Sequence, residues 1–234
     1  MLVFFVHNIK KIYYNYIVEE VGCMKDVLKR YLNNDIEFDK WQFIGVICLV
    51  VVISGIFGWV YEVIFYYFNG GMDKIYWRGG NFLPWINIYA TGSLMIMYLT
   101  RKVKKNPLLI FIISVVSTGV LEFFSGFVIY EFFNLRFWDY NTEILNFGNI
   151  GGFVCLRSVG FFGISALLLI YLIVPFCIYL SDITDRSTFM TVSVLLCSIF
   201  IFDELYNLIF SRLFNLPRAY DVYKSLGFNF MNYK

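Results

Sequence analysis

Charge is scarce in this chain. Only 15% of its residues are Asp, Glu, Lys or Arg, against roughly 25% in an average soluble domain, and that shortage excludes an ordinary soluble fold. Histidine is rarer still: His7 is the single one, so no HExxH metal motif and no Ser/His/Asp or Cys/His relay is present. No CxxC pair occurs among the five cysteines, at 23, 48, 155, 177 and 197. Three or four of them fall within apolar runs and read as small apolar side chains, so neither a disulfide framework nor a metal site is expected, and no cofactor is implied. The chain has no GxxxxGK[ST] phosphate loop, and any ATP-driven cycle would need a separate ATPase subunit. The net charge of +2, from 19 basic and 17 acidic residues, gives no sign of a nucleic-acid partner. The apolar start at Met1 to Val6 is very short and is followed, not preceded, by Lys10 and Lys11. That order is the reverse of a secretory signal, and no cleavage is expected.

Apolar residues, in contrast, make up 59% of the chain and aromatic ones 21%. They come in long blocks rather than in period-two alternation, which excludes a β-barrel and leaves an all-α polytopic membrane protein in the lipid bilayer. A span needs about 20 mostly apolar residues. Five stretches qualify, residues 43–68, 82–99, 108–133, 153–180 and 189–214. Pro84, Asn87, Thr91 and Gly92 make the second the most polar, so it is expected to be a span or a broken or re-entrant segment. Three regions follow: an amphipathic segment 1–42, a transmembrane bundle 43–214 and a short polar tail 215–234.

Basic residues assign the sides. Lys10, Lys11, Lys25, Lys29, Arg30 and Lys40 precede the first span, and Arg101, Lys102, Lys104 and Lys105 join the second to the third. Both regions are therefore expected to be cytoplasmic in a multi-pass protein of the cell membrane. Ile9, Ile12, Tyr13, Tyr16, Ile17, Met24, Val27, Leu28, Tyr31 and Leu32 recur at helical spacing. The pattern predicts an in-plane helix lying on lipid, with docking on a partner as the alternative. Trp41, Trp59, Trp77, Trp85 and Trp138 fall mostly near span ends, where indole anchors at the interface.

A lipid-exposed ionised side chain costs roughly 2.5–3.5 kcal/mol on insertion scales, so each one within a span should face protein, water or an opposite charge. Glu62, Glu122, Arg157, Asp203 and Glu204 are such residues. Gly55, Gly58 and Glu62 share one helical face, as do Gly119, Glu122, Ser125 and Gly126, and small residues of this kind allow close helix approach. One consequence is a buried clamp in which Glu62 or Glu122 pairs with Arg157 or Arg78. The other is a pocket in the outer half of the bundle. There Glu62, Arg78, Glu122, Asp139 and Arg157 converge beside the aromatic and acidic corner Trp138, Asp139 and Tyr140, a set able to bind a head group or relay a proton.

The series Gly58-Trp59-x-x-Glu62, Arg78-Gly79, Leu121-Glu122-Phe123-x-Ser125-Gly126, Trp138-Asp139-Tyr140 and Gly152-x-x-Cys155-Leu156-Arg157-Ser158 resembles the CmpB-like family of small bacterial membrane proteins, the ABC-transporter type IV permeases. The resemblance covers roughly residues 43–180. It implies a multi-span protein with Glu62, Arg78, Glu122, Asp139 and Arg157 as the functional set. The segment from Asn81 to Ala90 departs from the family pattern, keeping only Pro84, Ile88 and Tyr89. The leading function is a membrane permease component that binds a small or lipid-like solute, working with a separate ATPase subunit and as a homodimer. The alternatives are an intramembrane lipid-modifying enzyme, with Glu62 or Glu122 as base, and a non-catalytic accessory protein.

Overall fold

The computed structural model describes residues 22–70, 72, 75–228 and 232–233. The first half of the amphipathic segment, before Gly22, lies outside the described residues. Its second half is a helix, α1, over 22–33. Four long helices follow: α2 (Lys40–Asn69), α4 (Pro107–Phe133), α5 (Leu156–Ile183) and α6 (Arg186–Leu213), each long and apolar enough to cross a membrane. Between α2 and α4 stands a shorter helix, α3 (Asn87–Thr100), and a last short one, α7 (Ala219–Ser225), closes the described helical part.

Local chemistry sets these boundaries. Asp39 accepts from the Trp41 amide at the start of α2. Asn106 accepts from the Leu109 amide while Pro107, whose missing N–H costs nothing in the first turn, opens α4. Asn134 ends α4 in the left-handed conformation. Asp185 caps α6 through the Thr188 amide at 3.0 Å. Both α5 and α6 contain one wider π-helical turn, at Leu169–Ile173 and Tyr206–Phe210. The first lies just before Pro175, where a helix must accommodate a residue with no N–H to donate.

Of the five expected spans, four are helices long enough to cross a membrane, and the second, residues 82–99, is instead a short helix preceded by irregular chain. At 14 residues, α3 is about 21 Å long, short of a 30 Å hydrocarbon layer. The rest of that pass is the irregular segment from Arg78 to Ile86. The Ile86 amide donates to the Gly55 carbonyl at 3.1 Å, and Gly55 lies at mid-length of α2, so the chain reaches mid-bundle before it turns helical. Non-helical backbone at that depth is tolerated only against protein, and α6 supplies it. Asp203 accepts from the Phe82 and Leu83 amides at 3.0 and 2.9 Å and from the Trp85 indole at 2.9 Å. Trp85 is thus a core residue, 4% exposed, and not an interfacial anchor. Both carboxylates of the last helix turn the same way: Glu204 accepts from the Asn81 amide group at 2.8 Å.

The core lies toward the end of the bundle where α2 begins. Val46, Leu49 and Val50 of α2 pack with Ile96, Ile110, Ile170, Val174, Ile178 and Phe189. Val27 and Tyr31 of α1 belong to the same cluster, so the described half of the amphipathic segment packs on the bundle itself. Arg30 reaches Asp182 at 3.4 Å, and the Lys104 ammonium donates to the Tyr31 carbonyl at 2.6 Å. At the opposite, far end, the tail is not a free polar strand. Ala219 is fully buried, Tyr223 donates to the Phe82 carbonyl, and Asn232–Tyr233 pairs in parallel with Tyr76–Trp77.

Candidate functional site

The far half of the bundle is built on the small-residue face of α2. Gly55 lies against Trp85 and Phe200, and Gly58 against the ring of Tyr89, so closely that a β-carbon there would overlap the ring. One turn on, Glu62 meets the Arg78 Nε at 2.9 Å. Arg78 is 7% exposed and lies over the Tyr66 ring at 3.8 Å. The irregular 78–86 segment therefore pins a guanidinium beside the α2 carboxylate.

The face of α4 is also used as the glycine spacing predicts. Gly126 lies against Phe153 and Trp138, and Gly119 against Val159. Between them Glu122, 3% exposed, accepts from the Tyr140 hydroxyl at 2.5 Å and from the Ser158 hydroxyl at 2.7 Å. Burial and the adjacent Glu122 carboxylate push the Tyr140 phenol well above its ordinary range, so it stays protonated and remains a donor.

The loop between α4 and α5 is locked by its own polar residues. Asp139 accepts from the Asn141 amide at 3.1 Å, pairs with Arg136 at 2.7 Å and so holds the turn Tyr140–Thr142. Gly152, at φ 82°, brings its backbone against Asp139, Arg136 and Asn141, where no side chain would fit. Asp139 is consequently a loop cap and lines neither cavity described below. Trp138, by contrast, donates to the Phe153 carbonyl at 2.8 Å and presents its ring inward.

Arg157 pairs with neither Glu62 nor Glu122. Its Nη2 donates to Glu143 at 2.6 Å, and Glu143 also accepts from the Tyr66 hydroxyl. Position 143 lies in a loop, outside every apolar run, so no intramembrane signal marked it. The Nε and Nη1 groups of Arg157 have no hydrogen-bond partner among the described residues, although the guanidinium lies over the Phe65 ring at 4.0 Å. They border a chamber of about 20 Å³ between Tyr61, Phe65, Glu143 and Ser158, enough room for one water molecule.

Glu62, Tyr66, Tyr89, Tyr140 and Phe162 separate that chamber from a much larger cavity of about 590 Å³. Of the residues expected to form a site, Glu62, Arg78, Glu122, Trp138 and Tyr140 line this cavity. Arg157 lies in the chamber behind it. The last helix adds Glu204, Asn207, Leu208 and Arg212, and the tail adds Arg218. Asn207 and Leu208 belong to the π-helical turn of α6, an irregularity often found at functional sites. At this volume the cavity falls in the range of about 300–1,000 Å³ typical of small-ligand sites. Its lining carries the carboxylates of Glu62, Glu122 and Glu204, the guanidinium groups of Arg78, Arg136, Arg212 and Arg218, and apolar side chains such as Leu121, Ile129 and Leu208.

A family model described as Putative ABC-transporter type IV matches residues 44–208, more than half of the chain. No curated protein and no solved structure matches it.

Proposed function

We propose, starting from a chain that belongs to the Putative ABC-transporter type IV family, that it is the membrane component of a transporter and binds a small or lipid-like solute in the cavity of about 590 Å³. The observation that carries this reading is the composition of the cavity wall. Glu62, Arg78, Glu122, Trp138 and Tyr140 come from α2, the irregular 78–86 segment, α4 and the α4–α5 loop, and they line one cavity. Polar groups brought to a common space within an apolar bundle are expensive unless something polar occupies it. Glu62 and Arg78 satisfy each other. Glu122 is held by hydroxyls alone and retains a full carboxyl function at the wall. Arg157 acts from behind, fixing the loop through Glu143.

An ATP-driven cycle would draw its energy from a separate ATPase chain, since the sequence contains no phosphate loop. The first measurement is native mass spectrometry of the protein released from its own membranes in mild detergent. An ATPase chain in fixed ratio and a defined small adduct are expected. The adduct should disappear from Glu122→Gln while the melting temperature is retained. A variant that melts earlier but keeps its adduct would make Glu122 a packing group and defeat the reading.

A further inference from the structure

The cavity is open on one side. Helix α4 packs on α5 and α3, and α6 packs on α2, but among the described residues no packed interface joins α4 to α6. Leu121, Ser125 and Ile129 of α4 face Leu208 and Arg212 of α6 across this gap, and all five line the cavity. At its back stand Asn87 and Thr91 of α3, exposed and joined by a 2.8 Å hydrogen bond. Both line the cavity, and the outer surfaces of the two flanking helices are apolar, with Val120 and Phe124 of α4 and Phe202 of α6 exposed. A gap between two such membrane-spanning helices opens into the bilayer.

The charges along this gap are unevenly neutralised. Arg78 and Arg136 are paired with Glu62 and Asp139. Arg212 makes no ion pair among the described residues, and its guanidinium lies 5.8 Å from the Phe137 ring. Arg218 has only Asp221, at 3.9 Å, with both side chains about half exposed. Both arginines line the cavity at its far-end mouth, one at the end of α6 and the other at the start of α7. Below them Leu121 and Ile129 of α4 and Leu208 of α6 give the gap an apolar strip, beside the polar Ser125 and Asn207. Guanidinium groups at a mouth above an apolar slot match an anion carried on a hydrocarbon chain.

We infer that the cavity takes a lipid with an anionic head group, admitted sideways from the bilayer between α4 and α6, its phosphate or carboxylate on Arg212 and Arg218 and its chain along Ile129 and Leu208. This rests on the proposed reading of the cavity as a solute site and narrows the solute to an amphiphile. A soluble anion such as phosphate shares the head-group chemistry but leaves the slot empty of hydrocarbon.

The test uses the full chain, delipidated in a nonionic detergent and titrated with dioleoylphosphatidylglycerol, dioleoylphosphatidylcholine or inorganic phosphate. Bound species are read by native mass spectrometry. Phosphatidylglycerol should bind about tenfold more tightly than phosphatidylcholine, a preference that two charge-assisted contacts can supply. Arg212→Gln with Arg218→Gln should erase the preference, and Leu208→Trp, which obstructs the slot, should weaken lipid binding with no change in oligomeric state. Inorganic phosphate should not compete. If phosphate competes fully, the cavity binds soluble anions: the lipid inference falls and the solute reading stands. Lipid binding that ignores all three substitutions places the lipid on the outer surface of the bundle and also overturns the inference. A dimer that Leu208→Trp dissociates would mean that a second copy covers the gap. If no ligand responds to these substitutions or to Glu122→Gln, both readings fall together.

Discussion

The Glu143–Arg157 pair is buried from both sides, at 5% and 12% side-chain exposure, so its value depends on both partners being present. Removing one partner of such a pair leaves an uncompensated charge and typically costs about 3–5 kcal/mol, whereas removing both is far milder. Glu143→Gln should therefore lower the melting temperature of the detergent-solubilised protein more than the double substitution with Arg157→Gln. Equal losses from the single and double variants would show that the pair is not coupled. Glu122 differs, because its two donors are neutral hydroxyls from Tyr140 and Ser158. Its substitution tests binding, whereas that of Glu143 tests architecture. Position 143 also shows the limit of reading a chain by hydropathy. A carboxylate in a polar loop carries no mark of burial until the loop folds back over the α2 and α5 side chains.

Among the elements, the irregular 78–86 segment has the least helical backbone and depends most on one side chain. Asp203 accepts from two successive backbone amides, from the Trp85 indole and from Asn207 at 2.7 Å. Asp203→Asn replaces one acceptor oxygen by a donor, and leaving buried donors unsatisfied costs about 1–3 kcal/mol. Faster hydrogen exchange at the Phe82 and Leu83 amides and altered Trp85 emission are the expected results. Unchanged exchange at both amides would mean that another group holds the segment. At the opposite end of α6, bonds from the Thr188 hydroxyl and amide hold the Asp185 carboxyl below the ordinary aspartate range. With its folded pKa below the unfolded one, the cap contributes above about pH 4 and its contribution is lost as the pH falls through the folded value. Exchange protection in the first turn of α6 should drop in that acid range, and Asp185→Asn should remove the step. An identical acid step in the variant would assign it to another group.

At the scale of the whole molecule, four long helices and one shorter pass run through the bundle, and α1 and the tail lie at its opposite ends. The basic residues around α1 and in the 101–105 turn predict that their end is cytoplasmic. With Cys23 as the only thiol retained, a membrane-impermeant maleimide on intact cells should give no labelling. Asn215→Cys in a cysteine-free background should label. Labelling of both positions, or of neither, would put both ends on one side of the membrane and contradict this arrangement. Labelling of Cys23 alone would invert the protein and place the cavity in the cytoplasmic half.

The all-α membrane class, the four long spanning helices and several of the residues that line the cavity follow from the sequence alone. Long apolar blocks can be stable only as helices in lipid, and glycines spaced by three and four beside a carboxylate mark a face turned toward protein. Those are local and periodic properties, and with the family resemblance they single out Glu62, Arg78, Glu122, Trp138 and Tyr140, which the structure places on one cavity wall. The tertiary structure alone decided which charge meets which. It gave Arg157 to Glu143, made Asp139 a loop cap, turned both Asp203 and Glu204 toward the 81–85 segment and brought Arg212 and Arg218 to the cavity mouth. Ion pairing depends on distances between elements remote in the chain, and a one-dimensional pattern of hydropathy holds no record of where an irregular segment will turn.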